Sequence, residues 1–447
     1  MNIKQFIADN KTEMLDVLAK TISYNTVENH DNDKYPFGQG NADCLEYVLE
    51  KCQEYGMRST NLDYYAGFAE YGAGDKLVGI IGHLDTVPFG EGWLSDPTTL
   101  VNRDGKLYGR GTIDDKGPMI ANLFAIKYLI ENKKDWKQRL RIVFGSNEES
   151  GFQCVKHYVE KEGHFDIGYT PDGSIPCCFG EKGILQFSTS CKNTFFKKVS
   201  GGLVANAVPA NFEAEFSIEG IDIVALKSYF DENNITYELS AEYETVNLVV
   251  KGVAAHGSTP TKGVNAVAHA LVALKRAGVK DPAILEIVEK IGVESNGESL
   301  KIAIKDQYGD LTLNLGVIKI VEDNLEITFD VRCPFTHDLK EVTDKLPNSF
   351  DQWTTHILTQ KAGIYVLEDS EYVQMLTKTA NEVFNIDSKP ITMGGGTYAR
   401  GINNIIAFGP KFTDEDNHMH DANEFIREEH FFQLVEMYAV ALEKMLD

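Results

Sequence analysis

Histidines and carboxylates recur along this chain in short clusters whose chemistry suits a metal ion. His83 and Asp85 stand two apart in GHLDTVP, so in strand geometry their side chains share a face. That pairing suits a metal-bound imidazole with a carboxylate that orients it. Asp114 and Asp115 lie in GRGTIDDKG, where glycines on both sides let the backbone turn tightly at a helix start. Glu148 and Glu149 follow in SNEESG, Asp172 in TPDG, and His420 far along the chain in HMHDANE. Singly, each is ordinary: a surface pair, a solvated face, a structural histidine. As an ordered set they supply two imidazoles and several carboxylates, the donors of a hydrolytic zinc site. A carboxylate can bridge two such ions, and another must stay off the metal as general base. An adjacent glutamate pair provides a ligand and a base together.

Positioning these residues falls to alternating strand and helix signals in the first third of the chain. Residues 76–82 (KLVGIIG) and 139–144 read as strands, 44–55 and 117–132 as helices. This alternation predicts an α/β fold, a mostly parallel sheet with helices on its faces. Ligands bind beyond the carboxyl ends of such strands, which is where HLD and NEES fall. From about residue 182 the texture changes. Segments 184–190, 211–218, 246–252, 312–319 and 324–332 read as strands, with helical stretches at 222–233, 264–277 and 338–346, an inserted α+β lid domain. A helix at 370–385, a strand at 404–408 and a helix at 428–446 follow. The expected organisation is a catalytic domain in two parts, 1–181 and 365–447, around a lid at 182–364.

The chain has 447 residues, room for about two or three domains at roughly 150 residues each. Its 43 basic and 67 acidic residues leave a net charge of −24. A surface that acidic repels phosphate backbones and anionic lipid, which argues against nucleic-acid and membrane partners. Residues 1–20 read as an amphipathic helix rather than a leader, and no apolar run is long enough for a membrane span. Seven cysteines without a CxxC pair predict free thiols in a reducing, cytoplasmic setting.

The ordered motifs GHLDTVP, GRGTIDDKGP, SNEESG, TPDG, AAHGSTP and HMHDANE, spanning residues 82 to 424, resemble those of the carboxypeptidase G2/aminoacylase-1-like dizinc metallopeptidases. Within that superfamily the chain is most similar to PepV-type, carnosinase-like bacterial dipeptidases. The resemblance implies two Zn2+ ions, with Co2+ or Mn2+ as substitutes. One would be held by His83, Asp114 and Asp172, the other by Asp114, Glu149 and His420, with Asp114 bridging. It also implies Asp85 as the acid that orients the site, Glu148 as general base, and a cis Asp114–Asp115 peptide. His420 is preferred over His418 because the family histidine stands four residues before a glutamate, here Glu424.

For the lid, the resemblance implies that His256 in AAHGSTP stabilises the oxyanion and that Asn206 in GGLVANAVP helps to hold substrate. Arg332 in FDVRCP would bind a peptide's terminal carboxylate, a task that suits a guanidinium fork. From the residues alone it is equally an arginine paired with Asp330. The triple glycine in TMGGGTYAR lacks a nucleotide-binding pattern. In the family this loop lines the substrate cleft, which implicates Gly395, Gly396 and Thr397, and less directly Arg400. A lid this long implies a working monomer in which His256 acts in cis, with a homodimer as the alternative. The expected activity is dipeptide hydrolysis. The rivals are an N-acyl amino acid deacylase or desuccinylase on the same metal site, and an inactive peptide-binding protein on the same scaffold.

Overall fold

The computed structural model describes residues 1–30, 33–132 and 136–447. Two units emerge from the pattern of contacts: residues 1–179, 365–391 and 396–447 form the first, and residues 180–364 and 392–395 the second.

The first unit is built on a mixed sheet whose centre is parallel. Leu77–His83 lies between Arg139–Gly145 and Ile167–Thr170, parallel to both, and Ile405–Ala407 extends the parallel run. Every residue of Leu77–His83 is buried, as a strand covered on both faces requires. The expectation of a mostly parallel sheet holds for this centre. Beyond Arg139–Gly145 the sheet continues antiparallel through Ala66–Tyr71 and Arg58–Leu62, which the sequence reading does not mark. In the central register His83 pairs with Gly145, so the motifs after both strands leave the sheet at one edge.

Helices form where expected, with shifted ends. The helix at 44–55 begins earlier, as Gln39–Glu54, while Glu371–Phe384 and Glu428–Leu446 follow the reading closely. Ile3–Ile22 starts at Asn2, whose side chain accepts the Gln5 N–H. Lys116–Asn132 opens immediately after the Asp114–Asp115 pair, and its first three turns are wholly buried.

The second unit is an eight-stranded antiparallel sheet. Its spatial order is Thr236–Glu242, Thr245–Lys251, Asn211–Ser217, Phe196–Gly201, Thr312–Val321, Asn324–Cys333, Gly183–Lys192, Thr354–Lys361. Asn211–Ser217 and Thr245–Lys251 alternate buried and open positions, so one face packs and the other is wet. The buried face carries Phe212, Phe216, Leu248 and Phe329 against the helices Ile223–Glu232, Ala266–Arg276 and Pro282–Lys290. The helix expected at 338–346 shrinks to Lys340–Thr343 followed by a 3-10 turn at Leu346–Asn348, the ladder tightening where the Lys345 N–H bonds only three residues back, to the Val342 carbonyl. All seven cysteines are free, and all but Cys191 are buried. Among the described residues no helix is long and apolar enough to cross a membrane.

Candidate metal and catalytic site

His83 is the last residue of the central strand, and its ring is held by its own loop. The Nδ1 lies 3.0 Å from the Asp85 backbone carbonyl. As a carbonyl only accepts, Nδ1 carries a proton, and Nε2 is the ring nitrogen turned to Asp114. Asp85 has a second task. Its carboxylate stands 3.6 Å from His83 Nδ1 and accepts the backbone N–H groups of Glu148 and Glu149, both at 3.0 Å. The pair after one strand is thereby tied to the loop after its neighbour.

Asp114 stands between two imidazoles. Its Oδ1 is 3.0 Å from His83 Nε2 and its Oδ2 is 3.0 Å from His420 Nε2. His420 Nε2 is also 3.3 Å from Glu149 Oε1. These spacings match the roughly 3.3 Å edge of a tetrahedron whose ligands sit about 2.0 Å from zinc. Donor atoms of His83, Asp114 and Glu149 lie within 4.8 Å of one another, as do those of His83, Glu148 and Asp172. The structure therefore brings His83, Asp114, Glu148, Glu149, Asp172 and His420 together. His418 is exposed beside Phe425. The Asp114–Asp115 peptide is cis. At Gly82 a Cβ would meet Asp115 Oδ2 at 2.1 Å, so only glycine lets the acidic loop settle on the strand end.

The electrostatics are those of a cluster short of positive charge. Burial pushes the Glu148 carboxyl well above its usual range; His83 pulls it back, but Asp172, Glu149 and Asp114 add to the rise. Burial and Asp114 likewise raise Asp172, against Lys411, whose Nζ lies 3.9 Å away. Burial alone would lower His83, yet its hydrogen bond to Asp114 and the charges of Asp85, Asp114 and Glu148 raise it well above normal. Burial works to raise Asp114, but hydrogen bonds from His420 and His83 hold it well below. The imidazoles are drawn toward the cationic form by the surrounding acids, which outnumber the one lysine, Lys411, that stands against Asp172. A pair of divalent cations fits this donor set and its charge.

Two residues of this site carry no sequence signal of their own. Glu424, fully buried, accepts the N–H groups of Gly111 (3.0 Å), Ile113 (2.9 Å) and Asp114 (3.3 Å) on Oε1. Its Oε2 accepts Arg110 Nη1–H at 2.8 Å, and Arg110 is itself only 2% exposed. Glu424 thus organises the loop that presents Asp114. In the sequence it serves only as a spacing marker for His420, and Arg110 is one more residue between glycines.

In the second unit, His256, Arg332 and the glycine loop are linked. Ser258 donates its backbone N–H to His256 Nδ1 at 3.2 Å, and its Oγ lies 2.7 Å from the same nitrogen. An N–H can only donate, so Nδ1 is an acceptor and Nε2 carries the proton. A Cβ on Gly394 would meet Ser258 Oγ at 2.8 Å, and the Gly394 carbonyl accepts Arg332 Nη1–H at 2.8 Å. Arg332, 4% exposed, gives its Nε–H and one Nη2–H to Asp330, at 2.7 and 3.1 Å. Both readings of Arg332 meet here: it is paired with Asp330, and two of its five N–H groups lie beyond these three bonds. The Asn206 carbonyl accepts the Gly257 N–H at 2.7 Å, setting Asn206 beside His256. In the first unit Thr397 is buried and its Oγ1 accepts the Ala399 N–H, capping a short turn.

A shared carboxylate between two imidazoles, with an adjacent glutamate pair, Glu148 buried and Glu149 half-buried, beyond the end of a parallel strand, marks a hydrolase of the metallopeptidase class. The chain belongs to peptidase family M20/M25/M40, whose pattern matches residues 79–444. Proteins named "Putative dipeptidase" from Staphylococcus haemolyticus and Staphylococcus saprophyticus are each 30% identical to it, over 462 and 453 residues. The first alignment covers 98% of both chains and the second 97%. Among solved structures, human carnosine dipeptidase 1 aligns over 99% of this chain and 98% of its own, at 18% identity and a TM-score of 0.61. The dipeptidase Dug1p from Saccharomyces cerevisiae aligns over 99% and 97%, at 14% identity and the same TM-score. At such identities the two structures speak for the fold.

Proposed function

We propose that this chain is a dimetal dipeptidase. The observation that carries the reading is Asp114, with one carboxylate oxygen 3.0 Å from each of two imidazoles. His83, Asp114 and Asp172 would hold one ion, and Asp114, Glu149 and His420 the other, zinc in the first instance with cobalt or manganese as substitutes. Bound there, the ions would supply Lewis acidity toward the scissile carbonyl and lower the pKa of water.

The chain's own groups do the rest. Glu148, its backbone held by Asp85, takes a proton from the attacking water and delivers it to the leaving amine. His256 donates from Nε2–H to the developing oxyanion. Arg332 turns its remaining N–H groups to the substrate's terminal carboxylate. Asn206 with Gly395, Gly396 and Thr397 lines the substrate's place. The length of the second unit, residues 180–364 with 392–395, supports a monomer in which His256 acts in cis, and the free cysteines and acidic composition support a cytoplasmic enzyme without nucleic-acid or membrane partners.

The test is hydrolysis of dipeptides, tripeptides and N-acetyl or N-succinyl amino acids by zinc-loaded protein, with a chelated control. Chelator-sensitive cleavage of free-amine dipeptides supports the reading. Cleavage confined to acylated amino acids makes the chain a deacylase, and dipeptide binding without cleavage makes it a binding protein.

A further inference from the structure

Asn314 lies in the second unit, in the stretch LTLNLGVIK, where nothing singles it out. Its side chain is 1% exposed, and both N–H groups of its amide are committed. Nδ2 donates to the carbonyls of Ala205 and Ala207, each at 2.8 Å. One amide therefore grips the backbone on either side of Asn206. The same segment is stitched to the one bearing His256: Ala207 pairs with His256, Gly257 N–H donates to the Asn206 carbonyl at 2.7 Å, and Val208 N–H to the Ala255 carbonyl at 2.8 Å. The close approach needs Gly316, where a Cβ would meet the Ala205 carbonyl oxygen at 2.3 Å. Asn314 also borders a cavity of about 250 Å³, together with Val208, Pro260 and Asn265.

We propose that Asn314 is a positioning residue for the substrate-facing edge of the second unit: its amide locks residues 205–207 and, through them, sets the places of Asn206 and His256. The proposal rests on the reading of those two residues as substrate contacts. A buried asparagine that only stabilises the fold would lower the melting temperature and leave the turnover of folded protein alone. A positioning residue acts through the groups it places, so its loss and theirs are not independent.

The experiment is a double-mutant cycle on a free-amine dipeptide, using metal-loaded Asn314→Ala, His256→Ala and the double variant, with melting temperature and metal content recorded for each. Asn314→Ala is expected to lower kcat about 10²-fold, the order a displaced catalytic group costs, at wild-type metal content. The double variant is expected to match His256→Ala within about twofold. Wild-type kcat in Asn314→Ala, or a double variant losing the product of both single effects, overturns the proposal. If His256→Ala itself keeps wild-type kcat, the oxyanion assignment fails. The same cycle against Asn206→Ala then decides Asn314, coupling supporting it and additivity overturning it. Should Asn314→Ala not fold, Asn314→Ser, which retains one donor, is held to the same criteria.

Discussion

The backbone N–H of Asp114 donates to Glu424 Oε1 at 3.3 Å, across 310 residues of sequence. Through this bond and its companions from Gly111 and Ile113, the loop that carries Asp114 is anchored four residues beyond His420. Glu424 thus ties the loop that carries Asp114 to the segment that carries His420.

Glu424→Ala should therefore weaken metal binding without removing a ligand. A loss of about 10–100-fold in affinity is the usual cost of disturbing groups that orient ligands. The buried Arg110 left behind should also cost roughly 3–5 kcal/mol of stability. Competition against a chromophoric chelator and urea unfolding read the two effects. Wild-type metal affinity in a folded Glu424→Ala protein would contradict this role.

Glu148→Gln should separate chemistry from metal binding. The amide keeps the shape but cannot take a proton, so kcat should fall at least about 10²–10⁴-fold. Metal content, measured on the same sample, should stay at the wild-type level. A variant that retains normal turnover removes Glu148 from the role of base.

Arg332→Lys should raise KM for dipeptides with little change in kcat, since it loses a planar, charge-assisted fork worth about 1.5–3 kcal/mol. Dipeptide amides, which lack the carboxylate, should not distinguish variant from wild type. Equal penalties on both substrates would leave Arg332 a structural partner of Asp330 alone.

His269 gives a pH-dependent signature in the second unit. Burial lowers its imidazole from the usual range, with Nδ1 against the Tyr229 hydroxyl at 3.0 Å. The unfolded chain then binds the proton more readily than the folded one. Stability contributed by neutral His269 is present above about pH 6.5, the unfolded value, and is lost as pH falls toward the folded one. His269→Gln should flatten that part of the profile. Urea unfolding at pH 7.5 and 5.5 checks it, and identical pH dependence in both proteins would contradict it.

What the sequence makes legible follows from where the signals lie. His83, Asp114, Glu148, Glu149, Asp172 and His420 stand at strand ends or in glycine-rich turns, each ordinary singly, and it is as an ordered set of metal-ligand types that they stand out. Asn314 and Glu424 act through backbone groups far away in sequence, and a hydrogen bond between distant segments leaves no local pattern. The Arg110–Glu424 pair is 314 residues apart. The same holds for the fold. Strands with a buried face, such as Asn211–Ser217, show their alternation. Edge strands such as Thr354–Lys361 are mostly exposed, so they lack the period that would reveal them.

The central claim is that Asp114 is shared between two metal ions, and anomalous X-ray scattering at the zinc edge from crystals of the zinc-loaded protein tests it most directly. The expected result is two peaks, one bound by each Asp114 oxygen, with His83 on the first ion and His420 on the second. A single peak, or two peaks neither of which touches Asp114, would contradict it.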